Sequence, residues 1–165
     1  MDSAVCATLA ARDFDVYALH FGYGQRTEAR ELRSAQDVAR IVGVRELLPL
    51  RMDLFRKIGG SALTDPGIAV PAAGDEASIG VEVPVTYVPF RNAHFLSAAV
   101  SWAEVLGAKT VFIGAVEQDS SGYPDCRPAY YEAFNRLIQT GTKEGDIRIH
   151  TPLIGLRKSE IVRLG

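Results

Sequence analysis

The chain has 165 residues, 47% of them hydrophobic and 23% charged, with a formal net charge of −2. This is the composition of an ordinary globular domain long enough to bury a sizeable core, and it supplies no overall basic field for nucleic acid. Its two cysteines, Cys6 and Cys126, make neither a disulfide framework nor a CxxC metal signature, which suits a reducing compartment, and no apolar run approaches membrane-spanning length.

Met1-Asp2-Ser3 stands directly before an apolar run, Ala4 to Leu9, that ends near Arg12. Asp and Ser are helix-capping residues, so a helix is expected to start here. Its free N–H groups and positive dipole end can hold a phosphate, although these three residues alone read more simply as a capped helix. Asp15 to Phe21 is rich in β formers and predicts a buried strand; Gly22-Tyr23-Gly24-Gln25 predicts a turn. Glu28 to Val42 carries Leu32, Ala35, Ala39 and Val42 at helical spacing, with Gly43 as its stop, and Val44 to Met52 predicts a second strand. Helix, strand, helix, strand predicts an α/β fold, a mainly parallel sheet with helices on both faces and right-handed crossovers. Ligand is then expected beyond the carboxyl ends of the strands.

Lys57 to Pro89 interrupts this rhythm with glycines, prolines and acidic residues, and is expected to be a mobile insertion or lid within a single domain spanning 1–165. Asn92 to Leu106 predicts a deeply packed helix ended by Gly107, and Thr110 to Gly114 a short, fully buried strand. After the polar loop Ala115 to Arg127, Pro128 can open a helix whose apolar face is Tyr131, Phe134 and Ile138. Asp146 to His150 predicts a last strand and Arg157 to Leu164 a last helix.

Three polar clusters follow predicted strands and are expected to meet at one sheet edge. Gly22 to Arg26 has glycines that permit close approach of a ligand, although a plain turn is the better reading of those residues alone. Ser120 to Arg127 places an acid, a thiol, a cation and an aromatic together, a mixture that loop physics does not require. Arg157-Lys158 offers a lysine able to reach a phosphate, with a surface lysine as the commoner alternative. Arg91-Asn92 adds a cation suited to carboxylate or phosphate beside an amide. His20, His94 and His150 are scattered and read as packed or capped residues, and Cys126 as a non-catalytic contact.

Taken together, these stretches resemble a known family. Met1-Asp2-Ser3 resembles the last half of S-G-G-x-D-S, the pyrophosphate loop of the N-type ATP pyrophosphatases (the PP-loop superfamily). Tyr23 to Arg26, Ser61 to Asp65, Val88 to Asn92, Ser121 to Pro128 and Thr151 to Leu153 are similar, in order, to the successive motifs of the 7-cyano-7-deazaguanine synthases, the QueC family. The S-G-Y-P-D-C-R-P run is the most specific of them.

The resemblance implies a Rossmann-like adenine nucleotide alpha hydrolase fold. It implies ATP-dependent conversion of 7-carboxy-7-deazaguanine and ammonia to 7-cyano-7-deazaguanine, in the cytoplasm, by a ligase that is expected to be a homodimer without nucleic-acid or membrane partners. It implies catalytic roles for Asp2, Ser3 and Lys158, with ATP contacted by Met1, Asp2, Ser3, Ala4, Val5 and Cys6 and by Gly22, Tyr23, Gly24 and Gln25. Magnesium is expected at Asp2. Arg91, Asn92, Asp125 and Arg127 are the substrate candidates, chosen on chemistry: arginines for the carboxylate, Asp125 for the N–H edge of the base. The family's S-G-G loop and zinc-binding cysteine cluster do not occur in the sequence, so truncation at both ends is expected, with the zinc ligands after Gly165. Phe90 stands where the family usually has Gly. Another PP-loop enzyme, tRNA-modifying or amide-forming, and a non-catalytic nucleotide-binding module are the competing readings; the lack of a CxxC and of basic surplus weighs against the tRNA class.

Overall fold

The structure is a computed structural model that describes residues 1–69, 83–117 and 123–165. Its elements are α1 (Asp2–Ala10), β1 (Tyr17–Gly22), α2 (Glu28–Val42), β2 (Glu46–Arg51), α3 (Leu54–Ile58), α4 (Arg91–Leu106), β3 (Thr110–Phe112), a 3-10 turn (Pro124–Cys126), α5 (Pro128–Gly141), β4 (Arg148–His150) and α6 (Lys158–Leu164). Strand pairing among the described residues is parallel, as the alternation predicts. β1 runs beside β2 from Tyr17↔Glu46 to Gly22↔Arg51, and β3 beside β4 from Thr110↔Arg148 to Phe112↔His150, giving two two-stranded sheets.

The chain divides into two compact units. The first comprises Met1–Phe14, Phe90–Ser120 and Pro124–Gly165. Its main core forms where helical spacing aligns Ala93, Leu96, Val100 and Ala103 of α4 with Tyr131, Phe134 and Ile138 of α5, over Ile147 and Ile149. Pro128 occupies the first turn of α5, where its missing N–H costs nothing. The side chain of Asn135 then joins α5 to β4: its Oδ1 accepts from the Ile149 N–H at 2.8 Å and its Nδ2 donates to the Ile149 carbonyl at 3.2 Å. A second cluster packs Val5 and Cys6 of α1 with Val116, Leu153 and Ile161 of α6.

The second unit comprises Asp15–Pro89 and Ser121–Tyr123. Here α2 has the expected bounds and ends at Gly43 in the left-handed region, φ 77°, where a glycine carries no Cβ penalty. Pro49 lies within β2, which pairs with β1 alone among the described residues; a strand that carries proline is tolerated at a sheet edge.

Several expectations are corrected. Neither Asp2 nor Ser3 caps α1: the cap is Met1, whose carbonyl accepts the N–H groups of Ala4 and Val5 at 3.0 and 3.1 Å, while Asp2 and Ser3 fall in the first turn. β1 begins at Tyr17 because the Asp15 carboxylate turns outward to Arg45 at 2.9 Å. β3 is half-buried and three residues long rather than fully buried. α3 was not anticipated, so the irregular stretch opens at Gly59 rather than Lys57. Residues 70–82 of the expected insertion lie outside the described residues.

Candidate functional site

In the first unit, Asp2 and Lys158 meet although 156 residues separate them: the Lys158 ammonium donates to both carboxylate oxygens of Asp2 at 2.9 Å. Both side chains keep partial solvent access, 48% for Lys158 and 27% for Asp2. Lys158 is placed by the start of α6, where the Glu160 carboxylate accepts the Arg157 N–H at 2.7 Å and fixes the turn. Asp2 is placed by α1 and by Gly114. A Cβ at Gly114 would stand 2.8 Å from the Asp2 carbonyl carbon and 2.9 Å from the Ser3 nitrogen. Gly114 thus lets the backbone at the start of α1 approach closely, and a glycine just past the carboxyl end of β3 is the signal for it.

The remaining ATP candidates of α1 divide by face. Met1 and Ser3 are exposed, whereas Val5 and Cys6 point into the core, so only their backbone can meet a ligand. Burial pushes the Cys6 thiol up to about 11, which keeps it an unreactive thiol.

A second cluster in the same unit is built around Asn92 and Asp125. The Asp125 carboxylate accepts the Asn92 N–H at 3.1 Å, and the Asn92 side chain donates to the Asp125 carbonyl at 3.0 Å and to the Cys126 sulfur at 3.5 Å. The acid thereby satisfies a free N–H at the start of α4, where negative charge is favoured. Asp125 is 4% exposed and Asn92 6%. Arg91 lies beside them, half-buried, its guanidinium 5.7 Å from the centre of the Phe95 ring. Arg127 is exposed and serves as the N-cap residue of α5. Phe90 precedes this cluster with φ 57° and ψ 25°, a left-handed conformation that glycine adopts without strain and a bulky residue does not.

In the second unit, the turn Gly22–Gln25 is clamped by side chains. Gln25, 5% exposed, accepts the Tyr23 N–H at 2.8 Å and donates to the Phe21 carbonyl and the Glu31 carboxylate at 3.2 and 2.9 Å. The Gly24 N–H donates to Glu28 at 2.8 Å. Both turn amides are therefore taken by side chains that would have to release them before a phosphate could bind. Ser61 to Asp65 is likewise a buried turn: Ser61 donates to the Thr86 carbonyl at 3.2 Å and Arg26 to the Ala62 carbonyl at 3.2 Å. Tyr123 pairs its hydroxyl with that of Thr86 at 2.7 Å, and the preceding motif residues Ser121 and Gly122 lie outside the described residues.

The histidines are packed or capped. His94 Nδ1 meets the Phe90 carbonyl at 2.9 Å, His150 packs on Phe112 at 5.4 Å, and His20 Nε2 is buried without a hydrogen-bond partner among the described residues.

These stretches match a known family model, "Queuosine biosynthesis protein QueC", over residues 1–165. The chain belongs to the QueC family. It is 74% identical to a 7-cyano-7-deazaguanine synthase of Acidobacterium capsulatum, covering all of this chain and 72% of that protein. It is 61% identical to one of Koribacter versatilis and 53% to one of Chlorobium chlorochromatii, covering 70% and 72% of those proteins. The family and enzyme class expected from the motifs, an ATP-using synthase of queuosine precursor biosynthesis, are those of these relatives. No helix among the described residues is long and apolar enough to cross a membrane. Among the described residues, no three or more His, Cys, Asp or Glu side chains gather into a metal site.

Proposed function

We propose that the chain binds ATP at Asp2, Ser3 and Lys158 and uses it to convert 7-carboxy-7-deazaguanine and ammonia to the nitrile. A carboxylate is a poor electrophile with a poor leaving group. Attack of its oxygen on the α-phosphorus of ATP gives an acyl adenylate and pyrophosphate. Ammonia displaces AMP to give the amide; adenylation of the amide oxygen by a second ATP, then loss of AMP and a proton, leaves the nitrile.

The observation that carries the reading is the Asp2–Lys158 pair at the start of α1. Without nucleotide each charge neutralises the other. With nucleotide, Lys158 turns to phosphate as a point charge. Asp2, a single carboxylate, suits a magnesium ion that takes its other ligands from phosphate and water. The positive dipole end of α1 favours the phosphate as well. Cations placed where charge develops on phosphate stabilise the transition state. Arg91 and Arg127 are assigned to the substrate carboxylate, Asn92 and Asp125 to the base, and Gly22 to Gln25 to the nucleotide. The enzyme works on small molecules in the cytoplasm as a homodimer.

The test is nitrile formation by mass spectrometry beside ATP affinity by calorimetry, on the intact protein. Lys158→Ala is expected to weaken ATP binding and turnover together. Arg127→Ala is expected to lower turnover efficiency at least about tenfold with ATP affinity unchanged, the loss of one charge-assisted hydrogen bond. No nitrile from the intact wild type would sink the reaction; unchanged ATP affinity in Lys158→Ala would sink the nucleotide site.

A further inference from the structure

Phe90 is the only non-glycine with a positive φ among the described residues, at φ 57° and ψ 25°. For a bulky side chain that region is a genuine outlier and costs stability. Little of the ring is buried in exchange, since the residue is 58% exposed. The conformation is held from two directions. His94 Nδ1 meets the Phe90 carbonyl at 2.9 Å, and the His94 ring stands edge-on to the phenyl ring at 6.3 Å. Two residues beyond Phe90, the Asn92 N–H is fastened to the Asp125 carboxylate at 3.1 Å. The chain thus fixes a flat, accessible apolar face directly before Arg91 and Asn92. Strain and exposure are separate costs, and an outlier over-determined in this way is the kind that marks a ligand clamp.

We propose that the Phe90 ring stacks on the planar base of the substrate and strengthens its binding beside Arg91 and Asn92. This rests on the substrate reading above and extends it to a residue to which neither motif nor resemblance gives a role. A phenyl ring has no donor or acceptor, so what it selects is another flat, polarisable face. A deazapurine has such a face. Its polar edge and its carboxylate are left for an amide and a cation, which Asn92 and Arg91 supply. Holding the ring in place beforehand spares the cost of ordering a free side chain on binding. The family usually has Gly at this position, so the ring adds affinity to a site that performs the reaction without it.

Phe90→Gly and Phe90→Leu in the intact protein separate the ring from the strain. Phe90→Gly removes both: KM for 7-carboxy-7-deazaguanine should rise roughly tenfold with kcat and ATP affinity little changed, while the melting temperature of the free protein rises. Phe90→Leu removes the flat face but keeps a bulky side chain at positive φ, so KM should rise likewise without the gain in melting temperature. Phe90→Tyr, which keeps the face, should restore the low KM. An unchanged KM in Phe90→Gly overturns the proposal. So does a KM that rises in Phe90→Gly and not in Phe90→Leu, which would place the effect in the backbone. Weakened ATP binding with the base's KM unchanged would assign the ring to adenine, and a lowered melting temperature in Phe90→Gly would make it a structural contact; either overturns the assignment. Wild type that neither binds nor converts the base removes the substrate reading itself, an outcome visible before any variant is made.

Discussion

The two units hold parallel strand pairs of different length by different means. β3 and β4 pair over three residues each, and their stability comes from apolar packing: α4 and α5 send small and aromatic side chains into one cluster, and Leu153 and Ile161 have no exposed surface at all. β1 and β2 pair over six residues, yet no residue of α2 is fully buried, and Ile41 on that helix is 83% exposed. What is buried in the second unit includes polar groups, Gln25, Ser61 and Thr64, at its turns. Length of strand pairing therefore does not measure how a sheet is held. The first unit is an apolar core with a polar cluster on it; the second buries fewer apolar residues, Phe55, Ala62 and Val88 among them, and adds side chains that satisfy turn backbone.

The largest expected effect tests the apolar half. Phe134→Ala should cost about 3–5 kcal/mol in urea denaturation, the range for truncating a buried aromatic, whereas Ile41→Ala should stay within about 0.5 kcal/mol. Equal losses would erase the contrast. A middle effect tests the polar half. Gln25→Met keeps the volume but removes the side-chain hydrogen bonds to the Tyr23 N–H and the Phe21 carbonyl, and should cost roughly 1–3 kcal/mol. Hydrogen exchange should show that loss at Tyr23 first. If methionine is tolerated without change, the clamp is not what holds the turn.

Local pattern made α2 and α5 legible, because periodicity, a left-handed Gly43 and Pro128 all act within a few residues. The parallel pairing followed from alternation. The polar contacts did not, because their partners are far apart in sequence: Asn92 and Asp125 by 33 residues, Asp2 and Lys158 by 156. The resemblance named Asp2 and Lys158 as site residues without saying that they would pair with each other. The resemblance implies a ligand contact at Gln25, and nothing in its sequence neighbourhood indicates that its side chain folds back onto the backbone. Phe90 departs from the family's usual Gly, and its positive φ gives that departure a physical meaning.

The smallest expected effect separates the units by pH. His20 in β1 has its pKa held below the ordinary 6.5 by burial, an effect that the carboxylates of Glu31 and Glu28 on α2 oppose. Pro49, paired with it across the sheet, brings no charge. The folded protein therefore refuses a proton that the unfolded chain accepts. Stability from this group is present above about pH 6.5 and is lost as pH falls through the lowered folded value. In the first unit, Asp146 has its pKa lowered from 3.8 chiefly by its hydrogen bond to Lys109. Stability from that exposed pair is present above its ordinary pKa and is lost only as pH falls below it, so the two windows do not overlap. Between pH 7.5 and 5.5 the urea midpoint should fall slightly for the wild type, and His20→Leu should remove part of that slope. A variant whose slope matches the wild type's would show that His20 titrates alike in both states, and the decline would have to come from other groups.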